Sequence, residues 1–239
     1  MASYETKSAV RTCNFSYSGD ELFFSTDKAM GHKCELNVFK LDEFRANGES
    51  AVPYLTIKPA VSKITSAVWG PCDDTLITGH ENGTMVTWDA ETGEELNRSK
   101  DHTSNINDIQ YNKDFTFMLV ASKDFNSTLY DVENLRPIKS YKTQRPVNSA
   151  CIHPVKEHIL LGGGQDAMSV TTTSAKVGKF EATFYHMIYE EEIGRVKGHF
   201  GPINTLAFHP SGRGYASGGE DGYIRLHDFD PSYFEFEFI

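Results

Sequence analysis

The sequence predicts an all-β fold built from repeated antiparallel sheets, arranged as the blades of a β-propeller. Three observations carry this expectation. Val10, Ile64, Ile106, Val147 and Ile203 each open a short alternating run, and a large apolar residue follows five positions later: Phe15, Trp69, Tyr111, Ile152 and Phe208. Turn residues close each run, at Ser18-Gly19, Gly70-Pro71, Asn112-Lys113-Asp114, His153-Pro154 and His209-Pro210. The two middle spacings are 42 and 41 residues, close to the ~40–45 residues of a four-stranded blade. The outer two, 54 and 56, call for loop insertions.

The last copy is the clearest. Gly198-His199 opens it, Leu206 and Phe208 point to one face, a second run leads to Ser217, and Asp221-Gly222 makes a tight hairpin into a third run ending at Asp228. This pattern resembles a WD repeat. The chain therefore reads as one WD-repeat β-propeller region, residues 1–239, with blades at about 9–42, 62–98, 104–140, 146–188 and 199–239.

In the first blade Thr26–Lys33 reads as an enlarged hairpin loop, Leu36, Val38 and Leu41 as strand residues, and polar Asp42–Pro59 as a connection. The second carries the only literal Trp-Asp pair, Trp88-Asp89, after Thr78 and Asn82-Gly83. The third has His102, Lys123-Asp124 and Leu129-Tyr130-Asp131, with Tyr130 in place of the Trp. In the fourth, Gly162-Gly163-Gly164-Gln165-Asp166 precedes a strand at Val170–Thr173; within Gly178–Val196, Phe180, Ala182, Phe184 and His186 alternate with Glu181, Thr183 and Tyr185 and read as a long outer strand, followed by Glu190-Glu191-Glu192 as an acidic loop. After the fifth, Phe234, Phe236 and Phe238 alternate with glutamates, a period-two strand.

Composition is that of an ordinary soluble globular chain, 39% apolar and 23% charged. A net charge of −10 argues against direct nucleic-acid binding, which wants clustered Lys and Arg. No apolar run approaches the ~18 residues of a membrane span and no signal peptide is evident, so the expected location is cytoplasmic. Cys13, Cys34, Cys72 and Cys151 are scattered without ligand spacing, so no zinc site is expected; they read as small buried hydrophobes.

His199, Ser217 and Asp221 invite a hydrolase reading, because Ser, His and Asp together can make a nucleophile and its base. The favoured reading is structural. In a WD blade, the loop His, the strand Ser or Thr and the hairpin Asp form a polar network, usually with a Trp in the third strand. Asp221 lies four residues after Ser217 and six before His227, the Trp position. In the second blade Thr78 and Trp88 keep their places while Asn82 replaces the Asp; in the third, Val120 replaces the Ser or Thr. Gly163-Gly164-Gln165 is similar to the tripeptide of peptide-release factors, but its position is that of a strand-to-turn junction. Glu190–Glu192 lacks the spaced oxygen ligands of a cation loop. No enzyme site, cofactor or metal is expected.

Longer stretches narrow the resemblance. Ser8-Ala9-Val10-Arg11-Thr12-Cys13, Lys63-Ile64-Thr65-Ser66-Ala67-Val68-Trp69-Gly70-Pro71, Arg145-Pro146-Val147-Asn148-Ser149-Ala150 and, above all, Glu190-Glu191-Glu192-Ile193-Gly194-Arg195-Val196-Lys197-Gly198-His199-Phe200-Gly201-Pro202 resemble the WD-repeat I subunit family of eukaryotic translation initiation factor three. The family is seven-bladed. The chain resembles it from the third blade onward, so five blades of an expected seven are recognisable, and the ring is expected to be incomplete or open. Nothing in Met1–Lys7 reads as a substitute for the two leading repeats.

The resemblance implies a non-catalytic scaffold that binds a C-terminal helix of the B subunit, contacts the G subunit, and meets the small ribosomal subunit through the complex. Carried over by position, the helix contacts are Asp114, Leu129 and Asp131: an apolar anchor flanked by acids suits an amphipathic basic helix. The alternative is a generic WD adaptor of signalling or of a ubiquitin ligase.

Overall fold

The computed structural model of the chain describes residues 3–28, 31–60, 62–164 and 180–235. Five sheets follow one another along the chain, each made of strands adjacent in sequence. The first holds β1 (Val10–Phe15), β2 (Glu21–Thr26), β3 (Glu35–Lys40) and β4 (Leu55–Ile57). The second holds β5 (Ile64–Trp69), β6 (Thr75–His80), β7 (Met85–Asp89) and β8 (Glu95–Ser99). The third holds β9 (Ile106–Tyr111), β10 (Phe117–Ser122), β11 (Asn126–Asp131) and β12 (Pro137–Lys142). The fourth holds β13 (Val147–Ile152), β14 (His158–Gly163), β15 (Glu181–His186) and β16 (Glu192–Lys197). The fifth has three strands among the described residues: β17 (Ile203–Phe208), β18 (Gly214–Gly219) and β19 (Ile224–Asp228). The fold is all-β with the blades of a WD-repeat propeller. One bulge recurs at the same place, just inside the first strand of the first, second, fourth and fifth sheets.

The chain divides into two compact units, Met1–Ile109 with Tyr130–Pro137 and Gln110–Leu129 with Ile138–Ile239. In the first unit, Phe23, Leu36, Val38 and Ile57 of the first sheet meet Ile64, Trp69, Leu76, Val86 and Trp88 of the second in one core. Each such side chain contributes roughly 1.5–3 kcal/mol by leaving water. In the second unit, Leu119, Leu129 and Tyr141 pack with Val147, Ile159, Leu161 and Tyr185. A separate cluster joins Cys151, Leu160 and Phe184 to Ile203, Leu206 and Tyr215. Strands between two neighbouring sheets are buried on both faces, which is why β6 and β7 are buried along nearly their whole length rather than at alternate residues.

Several expectations need correction. The stretch after β3 is not a plain connection: it contains helix α1 (Leu41–Asn47), a single 3₁₀ turn (Gly48–Ser50) and β4. Leu41 starts that helix rather than ending a strand. Asp42 and Glu43 in its first turn and Arg45 in its last suit the helix dipole, and seven residues are too few to show a helical period. Phe44 of α1 and Tyr4 pack over Phe24 and Phe39, with ring centroids 5.2–5.5 Å apart for Tyr4 against Phe39 and Phe24. Residues near the chain start therefore do cover part of the first sheet.

In the fourth sheet the alternating run forms β15, which is the third strand and not the outer one; after a turn with Glu190 at φ 61°, β16 is the outer strand and takes in Glu192 of the expected loop. The expected strand at Val170–Thr173 lies outside the described residues, as do Gln165, Asp166, Phe236 and Phe238. Phe234 belongs to α2 (Pro231–Glu235) and not to a strand. Pro231 at the first helical position favours that helix start. Of the cysteines, Cys34 and Cys151 are buried but Cys13 and Cys72 are exposed.

Candidate functional site

Two polar ties stand out, one in the second sheet and one in the fifth. In the second, Trp88 Nε1–H donates to Thr78 Oγ1 at 2.8 Å, and Thr78 lies 3.0 Å from His80 Nε2. His80 Nδ1 lies 3.0 Å from the Ser62 carbonyl. A carbonyl only accepts, so Nδ1 carries the proton, Nε2 accepts, and the Thr78 hydroxyl donates to it. The resulting relay runs from Trp88 through Thr78 and His80 to the loop that enters the blade. Thr78 and His80 are fully buried. Burial holds the His80 imidazole below its ordinary pKa, in keeping with a neutral ring. Asn82, in the hairpin, binds Ser62 Oγ and the Thr84 N–H.

In the fifth sheet, His199 Nε2 lies 2.8 Å from Ser217 Oγ and its Nδ1 lies 3.0 Å from Asp221 Oδ1. Asp221 also accepts the Phe200 and Tyr223 N–H groups and an Arg225 Nη1–H at 3.0 Å. Burial pushes its carboxyl up, but the His199 bond and the two backbone donors outweigh this and hold it well below the usual carboxylate range. The distances are those of a Ser-His-Asp set, yet Ser217 is 2% exposed and sits mid-strand, paired on both sides. No acyl group can reach it. The arrangement fastens the entry loop to the hairpin.

Sequence reasoning missed His80 and Arg225. His80 stands opposite Ile64, as Gly219 stands opposite Ile203. A Cβ at Gly219 would lie 2.5 Å from His199 Nδ1. The same space is thus filled by a strand imidazole in one blade and a loop imidazole in the other. The signal was present as Thr78-Gly79-His80, two polar side chains on one strand face, with Ala60 where the loop His would be. His227 makes no such tie and stacks on Tyr215, with ring centroids 4.5 Å apart.

The three docking residues are placed differently from one another. Asp114 is exposed, in the turn after β9. Leu129 is 4% exposed and packs in the core with Leu119 and Tyr141, so it is no surface anchor. Asp131 is half-buried; its Oδ1 accepts the Glu133 and Asn134 N–H groups at 3.1 Å and caps the turn after β11. Asp89 does the same for Glu91 and Thr92 in the second sheet. Glu190 pairs with Lys139, and Glu192 with Arg195. Among the described residues there is no group of three or more His, Cys, Asp or Glu placed to hold a metal, and no helix long and apolar enough to cross a membrane.

The family model EIF3I matches residues 1–239. Eukaryotic translation initiation factor 3 subunit I of Nematostella vectensis is 56% identical over 238 residues, covering 100% of this chain and 73% of that protein. The protein of the same name from Taeniopygia guttata is 54% identical over 238 residues, with the same coverage. That of Drosophila mojavensis is 55% identical over 236 residues, 98% of this chain and 73% of its own.

Proposed function

Because this chain belongs to the subunit I family of eukaryotic translation initiation factor 3, we propose that it is a non-catalytic scaffold within that complex, working in the cytoplasm. Its blades hold a C-terminal helix of the B subunit, contact the G subunit, and meet the small ribosomal subunit through the assembly. The observation that carries the reading is the family match along all of residues 1–239.

Asp114 and Asp131 are the acids offered to a basic helix, with Leu129 supporting the strand from the core. Asp131 has two roles to separate, since it also caps its turn. Asp131→Asn keeps an oxygen for the turn and removes the charge; Asp131→Lys removes both. Calorimetric titration with the B subunit's C-terminal segment should show affinity falling for Asn and falling further for Lys, by on the order of tenfold or more. A folded sample that does not bind the segment, or Asn and Lys variants that bind as well as the parent, would defeat this assignment.

A further inference from the structure

Five residues other than glycine hold a positive φ: Asp73, Phe115, Phe125, Leu135 and Glu190. That region strains an ordinary side chain, and four of the five are compensated. Asp73 accepts the Tyr17 and Ser18 N–H groups at 2.8 Å, and Phe115 packs on Tyr111 with ring centroids 5.5 Å apart. Leu135 is buried, and Glu190 pairs with Lys139 at 3.1 Å. Phe125 is the exception. It sits at φ 67° in the β10–β11 hairpin, at the position that Gly83 and Gly222 fill in the second and fifth sheets, and it is 48% exposed. The turn is set without the ring: Asp124 Oδ1 accepts the Asn126 N–H at 3.1 Å, and the Phe125 carbonyl accepts the Thr143 N–H at 2.8 Å. A strained aromatic residue held half in water, where glycine would serve, marks a contact with another molecule.

The surroundings select the occupant. Thr143 also lines a cleft of about 130 Å³ between the β12–β13 loop and the fourth sheet. Lys142, Arg145 and Arg195 border it against the carboxylates of Glu181 and Glu192. Both carboxylates are already matched, Glu192 by Arg195 at 2.6 Å and Glu181 by Arg195 and Lys197 at 3.4 and 3.6 Å. The cleft thus keeps an excess of positive charge on a chain whose net charge is −10. Nucleic acid would set a phosphate at every nucleotide against that acidic chain. A peptide can place a single carboxylate at the cleft and an apolar side chain on the ring. We propose that Phe125, with the cleft at Lys142 and Arg145, binds a short acidic segment of another protein in this way. Asp114 lies beyond the other end of six-residue β10, roughly 20 Å away at the rise of a strand, so the site is separate from the acid offered there to a basic helix.

Fluorescence anisotropy of a labelled Gly-Glu-Phe-Glu-Asp-Gly peptide, titrated with the full chain, should give a Kd of about 10–500 µM, as a weak short contact does. The uncharged counterpart Gly-Gln-Phe-Gln-Asn-Gly should bind about tenfold more weakly or worse. Phe125→Asn and Lys142→Gln should each weaken binding of the acidic peptide about fivefold or more. Asn accepts a positive φ readily, so Phe125→Asn should keep its Tm within about 3 °C of the parent or raise it. Asp114→Lys should leave the peptide's affinity unchanged, whatever it does to a basic helix. The proposal is overturned if the acidic peptide does not bind, if the uncharged one binds as well, or if either binding variant keeps the parent's affinity. It is equally overturned by a larger fall in Tm for Phe125→Asn, which would mean that the fold itself holds the ring, by a peptide lost with Asp114→Lys, or by a uridine decamer that binds more tightly than the peptide.

Discussion

Replacing Thr78 by Val tests the relay in the second sheet at its centre. The change keeps the side-chain shape and removes one hydroxyl from a fully buried site. It strands two groups at once, the Trp88 indole N–H and His80 Nε2, which lie 2.8 and 3.0 Å from the lost oxygen. A buried group deprived of its partner costs about 1–3 kcal/mol. The extra methyl recovers part of this, so the expected loss is about 2–4 kcal/mol, or a Tm lowered by roughly 5–15 °C. Urea unfolding followed by tryptophan fluorescence measures the loss. The Trp88 indole proton should also exchange with solvent faster in the variant. Thr78→Ser keeps the hydroxyl and should lose only about 1 kcal/mol, for one buried methyl. If Val and Ser variants proved equally stable, the hydroxyl would carry no load and the relay would be refuted.

Three further outcomes are expected. Gly83 and Gly222 occupy the same hairpin position at φ 81° and 77°, but a Cβ at Gly83 would lie 2.3 Å from the His102 carbonyl while nothing lies within 4 Å at Gly222. Gly222→Ala should therefore cost about 1 kcal/mol of backbone strain and Gly83→Ala distinctly more, as thermal melts of the two would show. His158, buried and 2.6 Å from the Tyr233 hydroxyl, is pushed down to about 4 by burial, with His153, His186 and Lys156 adding to the shift. Its folded pKa lies below its unfolded value near 6.5, so its contribution is complete above pH ~6.5 and is lost as the pH falls toward 4. His80 and His153 lean the same way. Tm should decline over that interval, and His158→Gln should flatten the decline. Tyr4→Ala or Phe44→Ala should each cost about 1–2 kcal/mol and raise binding of a hydrophobic dye, by uncovering Phe24 and Phe39; unchanged dye binding would mean that the two rings shield nothing.

The repeat was legible because its spacing rests on strand-forming residues and turn glycines at fixed offsets, which survive even where Trp88 becomes Tyr130 or His227. Spacing also points to Thr78 with Trp88, and to His199 with Ser217 and Asp221. Features that depend on a partner far along the chain were not legible. Tyr4 meets Phe39 across thirty-five residues and carries no periodic signal. Helix α1 is two turns long, and of its residues Phe44 packs against Phe39 and Tyr4. Leu129 was placed among the helix contacts by the resemblance alone, yet it is buried, because alternation along β11 is lost where both faces are covered. Arg225 escaped notice because an arginine on an edge strand is ordinarily solvated, and only the folded hairpin brings it to Asp221.

The exchange of His80 for His199 bears on how blades should be compared. Aligned column by column, the second blade has lost its histidine at Ala60 and the fifth shows only a glycine at Gly219. Each column taken alone records a loss, although the imidazole is retained. What persists is an occupied volume beside the strand hydroxyl, reachable by more than one route along the backbone. Inheritance of such a tie is then better traced by compensating pairs of substitutions than by any single invariant position. A grafted blade carrying Gly219→His together with His199→Ala would be the engineered form of the same drift.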